Sequence, residues 1–247
     1  MLPKSLIVNC WNVLYLDRHR EERVERMTAI LAGLLAEAGI QGPADAAVRI
    51  CRRLAEDAGL HPNTCAAAPL VQRVMDFSKA GGLPIPSQVA SAFARKASQV
   101  AVNFAPPSQF PDDFKMLKKL AAHYAMVLVA NTSVPNGQGL REVLDGDHLL
   151  QYFRATIFSD EFGVGLPDAG LYRAGLEFLR MEPRDVMVIA GDEAADLPAA
   201  RMLNLPAILV RREAGAGGQA RPEVSAQNSG VESVASLAEL VRRLKAD

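Results

Sequence analysis

The stretch Leu6-Ile-Val-Asn-Cys-Trp-Asn-Val-Leu14 decides the fold of this chain. An apolar run that gives way to polar residues directly after Val8 is typical of a buried parallel strand at the point where it leaves the sheet. Open α/β folds bind their ligands at this carboxyl end of the strands. Asn9 and the residues that follow it are therefore the first side chains that the sequence offers to a binding site.

Length, charge and cysteine content limit the class of protein. A chain of 247 residues can hold a core domain with a smaller insert. Its 27 basic and 28 acidic residues give a net charge of −1, which predicts neither nucleic-acid nor membrane binding. There is no signal-peptide pattern and no apolar run of the roughly 20 residues that span a bilayer. The three cysteines form no Cys-x-x-Cys pair, so we expect a soluble, cytoplasmic protein.

Helical patterns dominate the chain after the first strand. Apolar residues from Val24 to Ala38 recur every three or four positions and predict an amphipathic helix that ends near Gly39. Further helices are predicted over residues 44–58, 68–80 and 87–102. Because no part of this region has a strand pattern, we expect a helical insert in an α/β chain.

Strands and helices alternate in the second half of the chain. Asp112 or Asp113 is expected to cap a helix that reaches Tyr124. Predicted strands cover residues 126–130, 155–158, 186–190 and 207–210, and predicted helices cover 136–144, 171–179, 197–203 and 236–245. Residues 213–228 are expected to form a surface loop. The fold class is therefore α/β, a Rossmann-like parallel sheet sandwiched by helices, with a helical cap domain inserted after the first strand.

Four fragments in order carry a family resemblance. They are the opening stretch, the segment 110–132, the segment Phe158-Ser-Asp-Glu-Phe-Gly-Val-Gly-Leu-Pro-Asp168 and the segment Ile189-Ala-Gly-Asp-Glu-Ala-Ala-Asp196. Together they resemble the motifs of the haloacid dehalogenase superfamily, over residues 4–17 and 106–212. The resemblance implies a core domain of residues 1–17 and 106–247, with a helical cap of residues 18–105.

The resemblance also shows which catalytic groups have been replaced. Asn9 stands where the family has its nucleophilic Asp, and a carboxamide is a poor nucleophile that presents N–H donors where a cation is wanted. The alternative is that Asn9 hydrogen-bonds loop backbone. Trp11 stands where phosphatases place an acidic proton donor, although one branch of the family has Trp there. Asn12 and Val13 replace Gly-Thr, and Asn is the best substitute for a Gly with positive φ.

The next two motifs have lost their polar groups as well. Ala130 lies where the family offers Ser or Thr to phosphate, and Asn131 matches the Asn that often follows. Thr132 or Ser133 could supply the hydroxyl if the register shifts. Leu166 replaces the motif lysine, so no ammonium is available to neutralise a bound anion.

Asp192 and Asp196 match the two carboxylates of the family's metal motif. Two carboxylates around a strand-to-helix turn can bind one hard cation. Without a carboxylate at position 9 we expect at most weak Mg²⁺ binding and no other cofactor. The alternative is that Asp192 caps the following helix and Asp196 is a first-turn acid. Cys10, which strand alternation turns away from Asn9, is interpreted as a buried small hydrophobe.

These losses predict a catalytically impaired, haloacid-dehalogenase-like pseudoenzyme. It would bind a partner protein or a small ligand between core and cap. One alternative is a hydrolase of phosphatase or dehalogenase type with altered, non-covalent or residual activity, and another is an oligomer, such as a homodimer, built on the cap helices. The predicted cleft is lined by Asn9, Trp11, Asn12, Asn131, Thr132, Leu166 and Asp192.

Overall fold

The computed structural model describes residues 2–15, 20–56, 68–103, 111–132, 134–211 and 232–246. Within these ranges, six strands form one parallel sheet in the order β3-β2-β1-β4-β5-β6. The strands are β1 (Ser5–Asn9), β2 (Ala125–Ala130), β3 (Ala155–Phe158), β4 (Val186–Ala190), β5 (Ala207–Val210) and β6 (Ser233–Val234). β1 is inner and pairs with β2 and β4, so both of its neighbours end beside Asn9.

The helices follow the apolar periodicity of the sequence. They are α1 (Arg20–Glu37), α2 (Ala46–Glu56), α3 (Leu70–Ala80), α4 (Ser87–Asn103), α5 (Pro111–His123), α6 (Gly137–Gly146), α7 (Ser159–Phe162), α8 (Gly170–Leu179), α9 (Asp196–Met202) and α10 (Leu237–Leu244). Short 3₁₀ turns precede β3 and β4. No helix in the described ranges has both the length and the apolar character needed to cross a bilayer.

Helices cover both faces of the sheet, as the sequence predicts. On one face, apolar residues of α5, α6 and α10 pack on Leu6, Val8 and Leu128. On the other face, α8 and α9 pack on Ile7, Val127 and Val188. Alternate residues of β1 thus point into two different cores, which is why the sequence of the strand is almost continuously apolar.

The helices α1 to α4 form a third cluster around Met27, Leu31, Leu54 and Phe93. Its contact with the sheet-bearing part runs through α4 and α6. It also runs through Arg73, whose Nη1 donates to the carbonyl oxygen of Thr132 at 3.4 Å. A helical unit therefore packs beside the carboxyl end of β2. The division into a core of residues 1–17 and 106–247 and a cap of residues 18–105 stays a prediction.

The structure corrects four local expectations. β6 was missed because two residues are too short to show a period, and α7 was missed because it is a single turn. The apolar periodicity over residues 171–179 predicts Phe178 on the buried face of α8, but Phe178 is 52% exposed. α5 begins at Pro111, which places Asp112 and Asp113 in its first turn and not at its cap. The loop expected at 213–228 lies outside the described residues.

Candidate functional site

The candidate site lies at the carboxyl ends of β1, β2 and β4. Asn9 is the last residue of β1 and pairs in register with Val129 of β2. Its side chain is buried, with 4% of the residue exposed. This is the edge where the sequence predicts a binding site, because parallel strands bring all their carboxyl ends together.

Both ends of the Asn9 carboxamide are engaged. Its Nδ2 donates to Oδ1 of Asp196 at 2.5 Å. Its Oδ1 accepts the backbone N–H of Trp11 at 3.0 Å, which confirms the alternative that Asn9 bonds loop backbone. An Asp at this position could supply no proton to Asp196 when ionised, so the amide makes a contact that the family's carboxylate could not make.

Asp196 is a fully buried polar group of the site. It is 0% exposed, and its Oδ1 also accepts the hydroxyl of Tyr172 at 2.9 Å. Its Oδ2 accepts the backbone N–H groups of Gly191 at 2.7 Å and Asp192 at 2.8 Å. Burial raises the pKa of the Asp196 carboxyl to about 6, and these hydrogen bonds oppose the rise.

Asp192 shapes the turn that leads into α9. Its Oδ1 accepts the backbone N–H groups of Ala194 at 2.8 Å and Ala195 at 3.1 Å. Asp196 is the first residue of α9. The geometry confirms that Asp196 is a first-turn acid of α9, but Asp192 does not cap this helix, because the N-cap residue is Ala195 and the Asp192 carboxylate bonds the turn before it.

The loop after β1 is tightly packed against the end of β4. Asn12 has φ +63°, the positive φ that the sequence predicts at this position, and its N–H donates to the carbonyl of Tyr15. A Cβ added to Gly191 would lie 2.0 Å from the carbonyl oxygen of Trp11. Only a glycine allows this approach. The indole Nε1 of Trp11 donates to the carbonyl of Asn131 at 2.7 Å, so the loop is also tied to β2.

Asn131 holds the Leu166 loop through both of its amide groups. Its Oδ1 accepts the N–H of Leu166, and its Nδ2 donates to the carbonyl of Leu166, each at 2.8 Å. The Leu166 side chain is 1% exposed and belongs to the apolar core under α8. Ala130 is 0% exposed at the end of β2. These three positions therefore contribute packing and backbone pairing to the site.

Thr132 carries the hydroxyl nearest in sequence to Ala130. Its Oγ1 donates to Oδ1 of Asp160 at 2.5 Å, and the residue is 0% exposed. Asp160 also accepts the N–H of Gly137 at 3.2 Å. The hydroxyl thus joins β2 to α7. Ser133, the other hydroxyl considered, lies outside the described residues.

Cys10 is fully buried in the sheet core, and burial raises the pKa of its thiol strongly. A protonated, enclosed thiol is a poor nucleophile. Cys10 therefore behaves as the buried hydrophobe that the sequence predicts.

Known proteins with this architecture identify the fold. No protein-family model matches the chain. A 2-haloacid dehalogenase from Pseudomonas syringae pv. Tomato (TM-score 0.63, 18% identity) and a HAD phosphatase from Thermococcus onnurineus (TM-score 0.63, 16% identity) match over 99% of both chains. An L-2-haloacid dehalogenase from Xanthobacter autotrophicus has a TM-score of 0.58 at 16% identity, with the same coverage. The chain therefore has the fold of these haloacid dehalogenases and of the HAD phosphatase.

One curated relative of this haloacid dehalogenase-like chain is similar in sequence. A phosphoserine phosphatase from Thermus thermophilus is 26% identical over 157 residues. The match covers 62% of this chain and 59% of the relative, so it spans about three fifths of the relative's length.

The residues of this haloacid dehalogenase-like site do not fit the magnesium ion that the family motif implies. The Asn9 amide points N–H donors at Asp196, where a cation would need oxygen ligands. Both oxygens of Asp196 already accept hydrogen bonds. In the ranges that the structure covers, no group of three or more His, Cys, Asp or Glu side chains is placed to hold a metal.

The sequence missed the partners that organise this site. Apolar periodicity predicts Tyr172 on the buried face of its helix, but nothing in the sequence indicates that its hydroxyl reaches Asp196. Asp160 and Arg73 were likewise not singled out. Their roles depend on how distant elements dock, and one sequence carries no signal for such pairs.

Proposed function

We propose that this haloacid dehalogenase-like chain is catalytically impaired and acts as a binding or regulatory module. The observation that carries the proposal is the hydrogen bond from Asn9 Nδ2 to Asp196 Oδ1. It occupies the position of the family nucleophile with a neutral donor. A covalent intermediate on residue 9 would need an anionic oxygen, which a carboxamide does not provide.

The other replacements support the same proposal. Leu166 contributes an alkyl chain in the apolar core where an ammonium would be needed, and Ala130 contributes a methyl group where a hydroxyl would be needed. Stabilisation of developing negative charge is commonly the largest single contribution to catalysis. A site without the nucleophile, the hydroxyl and the cation keeps the scaffold, but it cannot stabilise developing negative charge in this way.

The proposed ligand is a small molecule or a partner protein held between the core and the helices α1 to α4. Trp11, Asn12 and Asp192 are partly exposed, so they are the members of the predicted cleft that can contact a ligand. Asn9, Asn131, Thr132 and Leu166 are buried and support these residues. Arg73 lies at the same junction, next to the carbonyl of Thr132.

A second candidate is a hydrolase with residual activity. The similarity to a phosphoserine phosphatase and the retention of Asp192 and Asp196 favour it. Such an enzyme would have to use a metal-bound water in place of a covalent intermediate.

A paired activity assay separates the two candidates. The natural chain and the variant Asn9→Asp with Leu166→Lys are assayed with Mg²⁺ on a panel of phosphomonoesters and 2-haloacids. Activity in the repaired variant alone would support an impaired site in an intact scaffold. Turnover by the natural chain at ordinary enzymatic rates, abolished by Asp192→Ala, would overturn the proposal. Leu166→Met with Asn9→Gln is the matched control, because it changes the same positions without adding charge.

A further inference from the structure

The exposed sides of α5 and α10 form one basic surface. The two helices cover the same face of the sheet and pack on each other. The hydroxyl of Tyr124, one residue past α5, donates to the carbonyl of Leu244 at 2.7 Å, so the carboxyl ends of both helices meet. We define the basic face by its exposed cationic residues, which are Lys115, Lys118, Lys119, Arg242, Arg243 and Lys245.

Part of this charge is neutralised locally. Lys115 pairs with Asp112 at 3.0 Å, and Arg243 lies 3.4 Å from Glu232 and 3.6 Å from Glu239. Among the described residues, no carboxylate forms an ion pair with the other four members, which are Lys118, Lys119, Arg242 and Lys245. The six cations together with Asp112, Glu232 and Glu239, which pair with two of them, carry a net charge of +3, so the remainder of the chain carries −4 within the total of −1. Positive charge is therefore segregated onto this face.

Helix dipoles explain only some of these positions. Cations are favoured in the last turn of a helix, which accounts for Arg242, Arg243 and the adjacent Lys245. Lys118 and Lys119 lie in the body of α5, away from its last residue His123. Two adjacent lysines there gain little from the dipole and repel each other. Their placement needs another reason.

We propose that the basic face is a docking surface for an acidic segment of a partner protein. α5 has 13 residues and α10 has 8, so these adjacent helices are about 20 Å and about 12 Å long, which is the length of a short peptide segment. A nucleic acid or an anionic membrane presents negative charge far beyond these dimensions and would also meet the acidic remainder of the chain. A short acidic segment meets the basic face alone. Half-buried Phe114 and Met116 add apolar contact area on α5.

The test measures binding of a fluorescein-labelled oligoglutamate peptide by fluorescence anisotropy. The test variant is Lys118→Glu with Lys119→Glu. The matched control is Arg95→Glu with Lys96→Glu, which reverses two adjacent exposed basic residues of α4 and changes the net charge equally. Circular dichroism and Tm check that both variants fold. Parallel titrations use a single-stranded oligonucleotide and phosphatidylserine vesicles.

The proposal expects the full chain to bind the peptide with a Kd that rises steeply with salt. It expects the α5 variant to lose roughly tenfold in affinity and the α4 variant to lose much less. Equal losses in both variants, or no peptide binding by the full chain, would overturn it. Tighter binding of the oligonucleotide or the vesicles, lost in the α5 variant, would overturn the assignment to a protein partner. No outcome of this assay depends on whether the Asn9 site is catalytically active.

Discussion

Asn9 Nδ2 lies 2.5 Å from Asp196 Oδ1, although the two residues are 187 positions apart in the chain. Both are buried, so neither has water as an alternative partner. The amide satisfies the carboxylate without a cation and without a shared proton. This pair therefore satisfies the buried carboxylate by hydrogen bonding, which a second ionised carboxylate at the same distance could not do.

Asn9→Asp should destabilise the chain in the absence of divalent cations. Two buried carboxylates in contact repel each other, and we expect the free energy of unfolding to fall by about 2–4 kcal/mol at pH 7. Urea denaturation in EDTA measures the loss. Acidification should reduce it, because a protonated carboxyl can donate to its neighbour. Added Mg²⁺ should recover part of it by placing a cation between the oxygens.

The reciprocal variant Asn9→Asp with Asp196→Asn is the control for this prediction. It restores one amide and one carboxylate, so we expect stability within about 1 kcal/mol of the natural chain. If Asn9→Asp were as stable as the natural chain in EDTA, the pair would not have the role assigned to it.

Tyr172→Phe should lower the free energy of unfolding more than Tyr124→Phe does. Tyr172 donates to a buried carboxylate, whereas Tyr124 donates to a neutral carbonyl. We expect losses of about 1.5–3 kcal/mol and about 0.5–1.5 kcal/mol in the free energy of unfolding. The pKa of Asp196 should rise further in Tyr172→Phe, because the hydroxyl stabilises the ionised form. Equal losses of stability in the two variants would contradict a charged acceptor for the Tyr172 hydroxyl.

Stability should depend on pH through Asp196. Its pKa is raised from 3.8 to about 6 in the folded chain. Between these values the folded chain holds a proton that the unfolded chain has released, so this contribution falls as pH rises from about 4 to about 6. The loss amounts to at most about 3 kcal/mol and is complete above that window. Urea denaturation across the window should show this slope in the natural chain and not in Asp196→Asn.

Asn131→Leu should loosen the loop that carries Leu166. The change leaves the buried N–H and C=O of Leu166 without the amide that pairs them, at a cost of about 2–4 kcal/mol. Hydrogen exchange at the Leu166 amide should accelerate together with the loss of stability. The comparison variant Asn136→Ala removes only the cap of α6 and should cost about 1 kcal/mol with no change at Leu166.

Gly191→Ala should displace the loop after β1. The new methyl group would overlap the backbone oxygen of Trp11, so we expect a loss of about 1–3 kcal/mol in the free energy of unfolding. Gly33→Ala is the contrasting change, since a Cβ there meets nothing within 4 Å. Because Gly33 lies in the interior of α1, the change to Ala should raise the free energy of unfolding by about 0.5–1 kcal/mol. Trp11 fluorescence should shift in the first variant and stay constant in the second.

Local patterns were enough to predict most of the elements. β3, β4 and β5 begin and end at the predicted residues, and α1 to α4 agree within a few residues at their ends. Apolar periodicity reports which side of a segment is buried, and this information lies within each segment. The elements that were missed, α7 and β6, are shorter than the period that would reveal them.

The sequence by itself determined the fold class and the edge of the sheet where the candidate site lies, and it predicts that residues 9, 130 and 166 replace catalytic groups of the family that the chain resembles. These follow from segment periodicity and from residue identity. Only the tertiary structure decided which contacts these residues make. Asn9 and Tyr172 donate hydrogen bonds to Asp196, and Asn131 donates a hydrogen bond to the backbone of Leu166. Such pairs form where separate strand ends and helices dock, and a hydrogen bond depends on distances of tenths of an ångström that no local pattern encodes.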